Sequence, residues 1–212
     1  MKINQALLDE VTRIKVNIMR RRDSQVKSIM IAAANKGEGT STLAANLALS
    51  IGLAEKARVL LIDANLRQPT QHVWFGREQQ NGLIDLVTGK MGLAEVVKET
   101  PFANIKLITA GFFPPGENKL DVLSGIPQEI KERLEKDFDW VIYDTAPVSS
   151  YPDTLLVSPL ADGIVLVIMA EKTRRAAVQK VKESFESINA KILGGVLNGR
   201  RYVVPKFIYK RL

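Results

Sequence analysis

Apolar and polar positions alternate along the chain in blocks of two lengths. Short continuous apolar runs fall at 26–34, 58–62, 105–109, 140–143, 163–169 and 192–197. Runs of this length, rich in β-branched residues, suit strands buried on both faces. Between them lie segments with helical periodicity. The pattern predicts an amphipathic helix over 5–20, an Ala/Leu-rich helix over 43–54, a charged helix over 127–136, a helix over 153–160 and a long basic helix over 174–188. Helical patches near Leu83 and Ala94 sit within a long insertion, 67–101, and a Pro/Gly loop covers 112–117. Strands alternating with helices predict an α/β fold: a three-layer, doubly wound, mostly parallel sheet. No internal repeat or linker divides it, so one domain over 1–212 is expected, with an amino-terminal helix (1–22) and a basic tail (200–212).

The junction between the first strand and its helix carries the most chemistry. Lys36-Gly37-Glu38-Gly39 breaks the strand, and Thr40-Ser41-Thr42 opens the helix. Two glycines permit the backbone angles of a tight phosphate cradle. The N–H groups and positive dipole end of a helix start favour a polyphosphate. In the pattern G-x-x-x-x-G-K-[S/T], a lysine reaches the β and γ phosphates and a hydroxyl binds Mg²⁺. Here Ser41 fills the hydroxyl position, but Thr40 stands where the lysine is expected and Ala34 where the first glycine is expected. An ordinary strand–turn–helix built from small residues remains the competing reading of this segment alone.

Two further strands end in carboxylates: Asp63 after RVLLI and Asp144 after WVIY. In an open parallel sheet such ends share one crevice with the glycine loop. Asp144 is placed to hold Mg²⁺ directly or through water; Asp63 is placed to orient the metal shell or accept a proton. A strand-terminal Asp can instead cap the following helix, but the convergence of three strand ends favours a nucleotide site.

Six segments, in order, resemble the bacterial tyrosine kinases of capsule and exopolysaccharide synthesis (BY-kinases), within the larger MinD/ParA group of P-loop proteins. They are Glu10-Val11-Thr12-Arg13, GEGTSTLAANLA, LLIDANLRQP, NGLIDLVTG with ITAGFFPPGENKL, DWVIYDTAPV, and the closing GGVLNGRRYVVPKFIYKRL. The resemblance implies ATP and Mg²⁺ as cofactors and phosphoryl transfer to protein tyrosine. It implies a cradle over Lys36, Gly37, Glu38, Gly39, Thr40, Ser41 and Thr42, metal held by Ser41, Asp63 and Asp144, and Asn198 beside the adenine. It also implies homo-oligomerisation through the amino-terminal helix and a membrane chain-length regulator of the polysaccharide as partner, at the inner face of the membrane. Departures accompany it. Thr40 replaces the lysine, Asn65 the second Asp of a D-x-D-x-R motif, and Val16 the last basic residue of E-x-x-R-x-x-R, with Lys15 adjacent. The tail carries only Tyr202 and Tyr209. Lys36 and Arg67 are candidate compensating cations, each with a solvated side chain as its alternative. An inert pseudokinase scaffold and a MinD/ParA-like positioning ATPase are the other readings.

Composition changes the picture little. The chain has 46% apolar residues, enough for one sizeable core, and no cysteine, which excludes disulfides and thiolate metal sites. Its single histidine, His72, is expected at the surface of the loop after Pro69. The best apolar run, 163–170, is too short to span a bilayer, so no secretory leader or spanning segment is expected and a cytoplasmic location is. The net charge of +7 gathers at Arg20-Arg21-Arg22, Arg174-Arg175 and the tail, where aromatic residues interleave it. Such a tail suits an anionic membrane surface. Nucleic acid is the less favoured partner.

Overall fold

The computed structural model describes residues 5–21, 26–113, 119–124, 126 and 128–200. The tail residues from Arg201 on, Arg22 and most of the predicted Pro/Gly loop lie outside the described residues. Seven strands form one sheet: β1 (Ser28–Ala33), β2 (Val59–Ala64), β3 (Lys98–Glu99), β4 (Ile105–Ile108), β5 (Trp140–Thr145), β6 (Gly163–Met169) and β7 (Ile192–Asn198). Their order is β3-β4-β2-β5-β1-β6-β7, parallel except for the antiparallel pairing of β3 with β4. The helices are α1 (Gln5–Arg21), α2 (Thr40–Ala54), α3 (Gln71–Trp74), α4 (Leu83–Val87), α5 (Leu93–Val96), α6 (Lys119–Ser124), α7 (Gln128–Asp137), a 3₁₀ helix (Pro152–Leu160) and α8 (Arg175–Glu186).

Both faces of the central strands are covered, which is why they read as unbroken apolar runs. Along β1, Ile29, Ile31 and Ala33 enter the core shared with α1 and α2, while Met30 and Ala32 enter the opposite core with α7 and α8. α1 lays Val11 and Ile18 on this first core, and its Lys15 is buried in an ion pair with Glu55 at 2.8 Å. Lys15 is therefore already paired and does not supply the cation that the resemblance expects at Val16. Glu10 and Arg13 stay exposed on the outer face, paired at 3.9 Å.

Several expectations shift. Asp63 and Asp144 are the penultimate residues of β2 and β5 rather than lying past them, and both are fully buried. The insertion holds three short helices and β3, whose two residues are too few to leave a periodic signal. His72 sits half-buried on α3, where packing after Pro69 turns the chain into a helix, and its Nδ1 is buried without a hydrogen-bond partner among the described residues. The helix predicted over 153–160 is 3₁₀, with Pro159 removing a backbone donor from its final turn. Among the described residues no helix is long and apolar enough to cross a membrane.

Candidate functional site

The loop after β1 is braced from within. Gly37 and Gly39 take φ of 82° and 98°, in the left-handed region where a Cβ is strained. Glu38 turns its side chain inward: one carboxylate oxygen accepts from Ala34 N–H at 3.1 Å, the other from Asn35 Nδ2 at 2.8 Å and Thr173 Oγ1 at 2.6 Å. Its side chain is thus a strut between the loop and the turn after β6, and Glu38 is not among the residues that line the cleft. The first helical bond of α2 runs from Leu43 N–H to Gly39 O at 2.9 Å. The preceding N–H groups, from Thr40 to Thr42, have no partner available within the helix.

Asn198 closes one side. Its Nδ2 donates to Glu38 O at 2.8 Å, and its Oδ1 accepts from Gly199 N–H at 2.8 Å. A Cβ on Gly39 would come within 2.3 Å of that Nδ2. Gly39→Ala therefore meets both strain and contact. We expect it to destabilise the protein by about 1–3 kcal/mol, read as a fall in the denaturant midpoint.

Beneath the loop lies the acidic pair. Asp63 and Asp144 are direct neighbours in the β2–β5 ladder. Asp63 accepts backbone N–H groups from Asn65 (3.2 Å), Thr70 (2.8 Å) and Gln71 (2.8 Å), so it also caps α3. Asp144 Oδ2 accepts from Gln71 Nε2 at 2.7 Å, and the same amide reaches Ser41 O at 3.0 Å. Burial pushes Asp63 up to about 7, with repulsion from Asp144 adding to it and the three N–H donors opposing. Burial pushes Asp144 up to about 6, against the Gln71 amide and the Ser41 hydroxyl.

Gln71 is the residue that sequence reasoning missed. It is fully buried and ties the start of α2 to both carboxylates, yet a polar side chain just after Pro69-Thr70 carries no distinguishing signal in the sequence.

The cleft above this pair, about 340 Å³, is lined by the loop from Asn35 to Thr42 without Glu38, and by Asn65, Arg67, Thr70 and Tyr151 among others. Lys36 is exposed at its edge. Arg67 is committed elsewhere: it pairs with Asp153, and its guanidinium lies over the Tyr151 ring, 4.9 Å from the centroid. Asn65 uses its Oδ1 to accept Gln68 N–H at 3.1 Å, closing the turn after β2. The structure thus gathers Lys36, Gly37, Gly39, Thr40, Ser41, Thr42 and Arg67 around one cleft, with Asp63 and Asp144 below it.

The donor set fits Mg²⁺. A hydroxyl and carboxylate oxygens are the hard ligands this cation takes. Asp144 Oδ1 is buried without a hydrogen-bond partner among the described residues, and two adjacent buried carboxylates gain from a nearby divalent charge.

A mostly parallel sheet with a glycine loop and strand-end carboxylates defines a P-loop NTPase fold of the MinD/ParA-like group. A sequence profile described as an AAA domain matches residues 26–194. The tyrosine-protein kinase YwqD of Bacillus subtilis is 37% identical, over 84% of this chain and 75% of its own length. The putative tyrosine-protein kinase CapB of Staphylococcus aureus is 33% identical, over 87% of this chain and 81% of its own. Among solved structures, the chimerical protein CapA2B2 superposes with a TM-score of 0.82 at 32% identity, covering 92% of this chain and 85% of that one. MinD of Pyrococcus horikoshii, solved with Mg-ADP, shares the fold with a TM-score of 0.67 at 21% identity, over 87% of this chain and 76% of that one. The chain belongs to the bacterial tyrosine kinase family.

Proposed function

We propose that this chain binds Mg-ATP in the loop cleft and regulates exopolysaccharide polymerisation and export as a BY-kinase with a weakened phosphotransfer site. The observation that carries the reading is the buried Asp63–Asp144 pair beneath a glycine loop at the start of α2. Backbone N–H groups from Lys36 to Thr42 cradle the phosphates. Ser41 and Asp144 would hold Mg²⁺, and Asp63 would help place it or serve as proton acceptor. When bound, the ion neutralises charge on the phosphate oxygens. Transfer forms a bond between a tyrosine oxygen and the γ-phosphorus and breaks the bond to ADP; the phenol proton passes to a carboxylate. This chemistry rests on positioning and electrostatics, so a missing cation slows it without removing every contribution.

A membrane chain-length regulator as partner, and oligomerisation through α1, extend the same reading, supported by the family and by the exposed Glu10–Arg13 face. Direct titration of the purified chain with Mg-ATP tests the core of it. We expect saturable one-to-one binding; no binding up to millimolar nucleotide overturns it. One observation favours a second reading, a nucleotide-sensing scaffold: Thr40 replaces the lysine, and the nearby Arg67 is already paired with Asp153.

A further inference from the structure

A second cavity, about 480 Å³, opens on the other side of the loop. Gly39 and Thr42 line both this cavity and the phosphate cleft, so the two spaces meet across the start of α2. One side of it is the end of β7: Val196, Leu197 and Asn198, followed by Gly199 and Arg200. The other is α1, which contributes Glu10, Val11 and Ile14. The side chain of Val196, paired with Val167 in the β6–β7 ladder, faces this space on the same side of the sheet as α1.

We propose that α1 forms one wall of a purine-base subsite, so that the position of this helix and the occupancy of the nucleotide site are thermodynamically linked. The inference rests on the proposed nucleotide function. A nucleotide whose phosphates lie against Thr40–Thr42 can place its base past Thr42, in a space with apolar walls and a few polar groups at its rim. That is the usual make-up of a small-molecule site. The loop and this wall are held in register by the Asn198–Glu38 hydrogen bond at 2.8 Å.

α1 is held on α2 by a small set of contacts. Besides Val11 and Ile18, they include a Thr12–Ser50 hydroxyl pair at 3.2 Å and the Lys15–Glu55 ion pair. A base seated against Val11 and Ile14 adds to them. By reciprocity, whatever draws α1 away from α2 weakens ATP by the same factor. The phosphate cradle, built from the loop and α2 alone, is left untouched.

Comparing ATP with inorganic tripolyphosphate, both with Mg²⁺, separates base from phosphates. We expect Ile14→Asp to weaken ATP about tenfold, or about 1.4 kcal/mol, and to leave tripolyphosphate unchanged. Val16→Asp, on the exposed side of the same helix, changes neither. In the unaltered protein, ATP slows amide hydrogen exchange in α1 and tripolyphosphate does not, a readout independent of how the variants fold. Equal losses for both ligands, or exchange in α1 indifferent to ATP, overturn the inference and leave the phosphate site standing. If the unaltered chain binds neither ligand, the proposed nucleotide function falls, and this inference with it.

Discussion

Asp144→Asn is expected to melt at a higher temperature than the unaltered protein at pH 8, while losing its Mg²⁺-dependent gain in nucleotide affinity. The two effects share one cause. Asp144 is fully buried beside Asp63, and its pKa is raised from 3.8 to about 6. A carboxyl whose folded pKa lies above its unfolded value holds its proton more tightly in the folded state. Stability therefore falls as pH rises from about 4 through about 6, and the full penalty is present above that window. Asparagine carries no such penalty, and its carbonyl still accepts from Gln71 Nε2. The gain is nil near pH 3.5 and grows to about 2–3 kcal/mol at pH 8. The site gives up stability for a place to hold a cation. Removing that place costs Mg²⁺-dependent affinity about 100-fold. Paired melts at pH 4 and pH 8, with titrations in Mg²⁺ and in chelator, check both halves. A lower melt at pH 8, or the same shift at both pH values, contradicts the account.

The architecture was legible because its cause is local. Strands buried on both faces must be continuous apolar runs, and six of the seven strands announce themselves that way. β3 does not, because its two residues are an edge pairing fixed by β4 rather than by their own pattern. The loop, Ser41 and the two carboxylates were equally legible, since strand ends in a parallel sheet are forced into one crevice. What the sequence hid is who holds whom. Arg67 reads as a phosphate cation until Asp153, remote in the chain, takes its charge. Glu38 reads as part of the cradle until its side chain turns inward to Ala34 and Thr173. Gln71 becomes visible only when α3 folds against β2 and α2 and brings its amide to Asp144. Each of these depends on long-range contacts that no spacing rule encodes.

Restoring the lysine, Thr40→Lys, is expected to produce the largest gain in activity of any single change. Thr40 stands half-buried at the first position of α2 and lines the phosphate cleft. A lysine there adds a charge-assisted contact to a phosphate oxygen, about 1.5–3 kcal/mol. ATP should therefore bind roughly 10- to 150-fold more tightly. If charge builds on that oxygen during transfer, the rate of labelled phosphate transfer to tyrosine rises by about 10²–10³-fold. The starting rate separates the two readings of the protein. A measurable rate in the unaltered chain, raised by Thr40→Lys, marks a slow kinase; transfer that appears only in the variant marks a scaffold that kept its fold. Lys36, exposed on the same loop, is the cation lining the cleft besides the paired Arg67 among the described residues. It decides what a null result means. If Lys36 already serves the phosphates, Lys36→Ala costs the unaltered chain more than it costs Thr40→Lys, and the two changes couple in a double-mutant cycle. If the two changes are additive, Lys36 is a solvated loop residue. A cation absent from both positions must then come from elsewhere, another part of this chain or a partner, and Thr40→Lys should relieve the need for whatever supplies it.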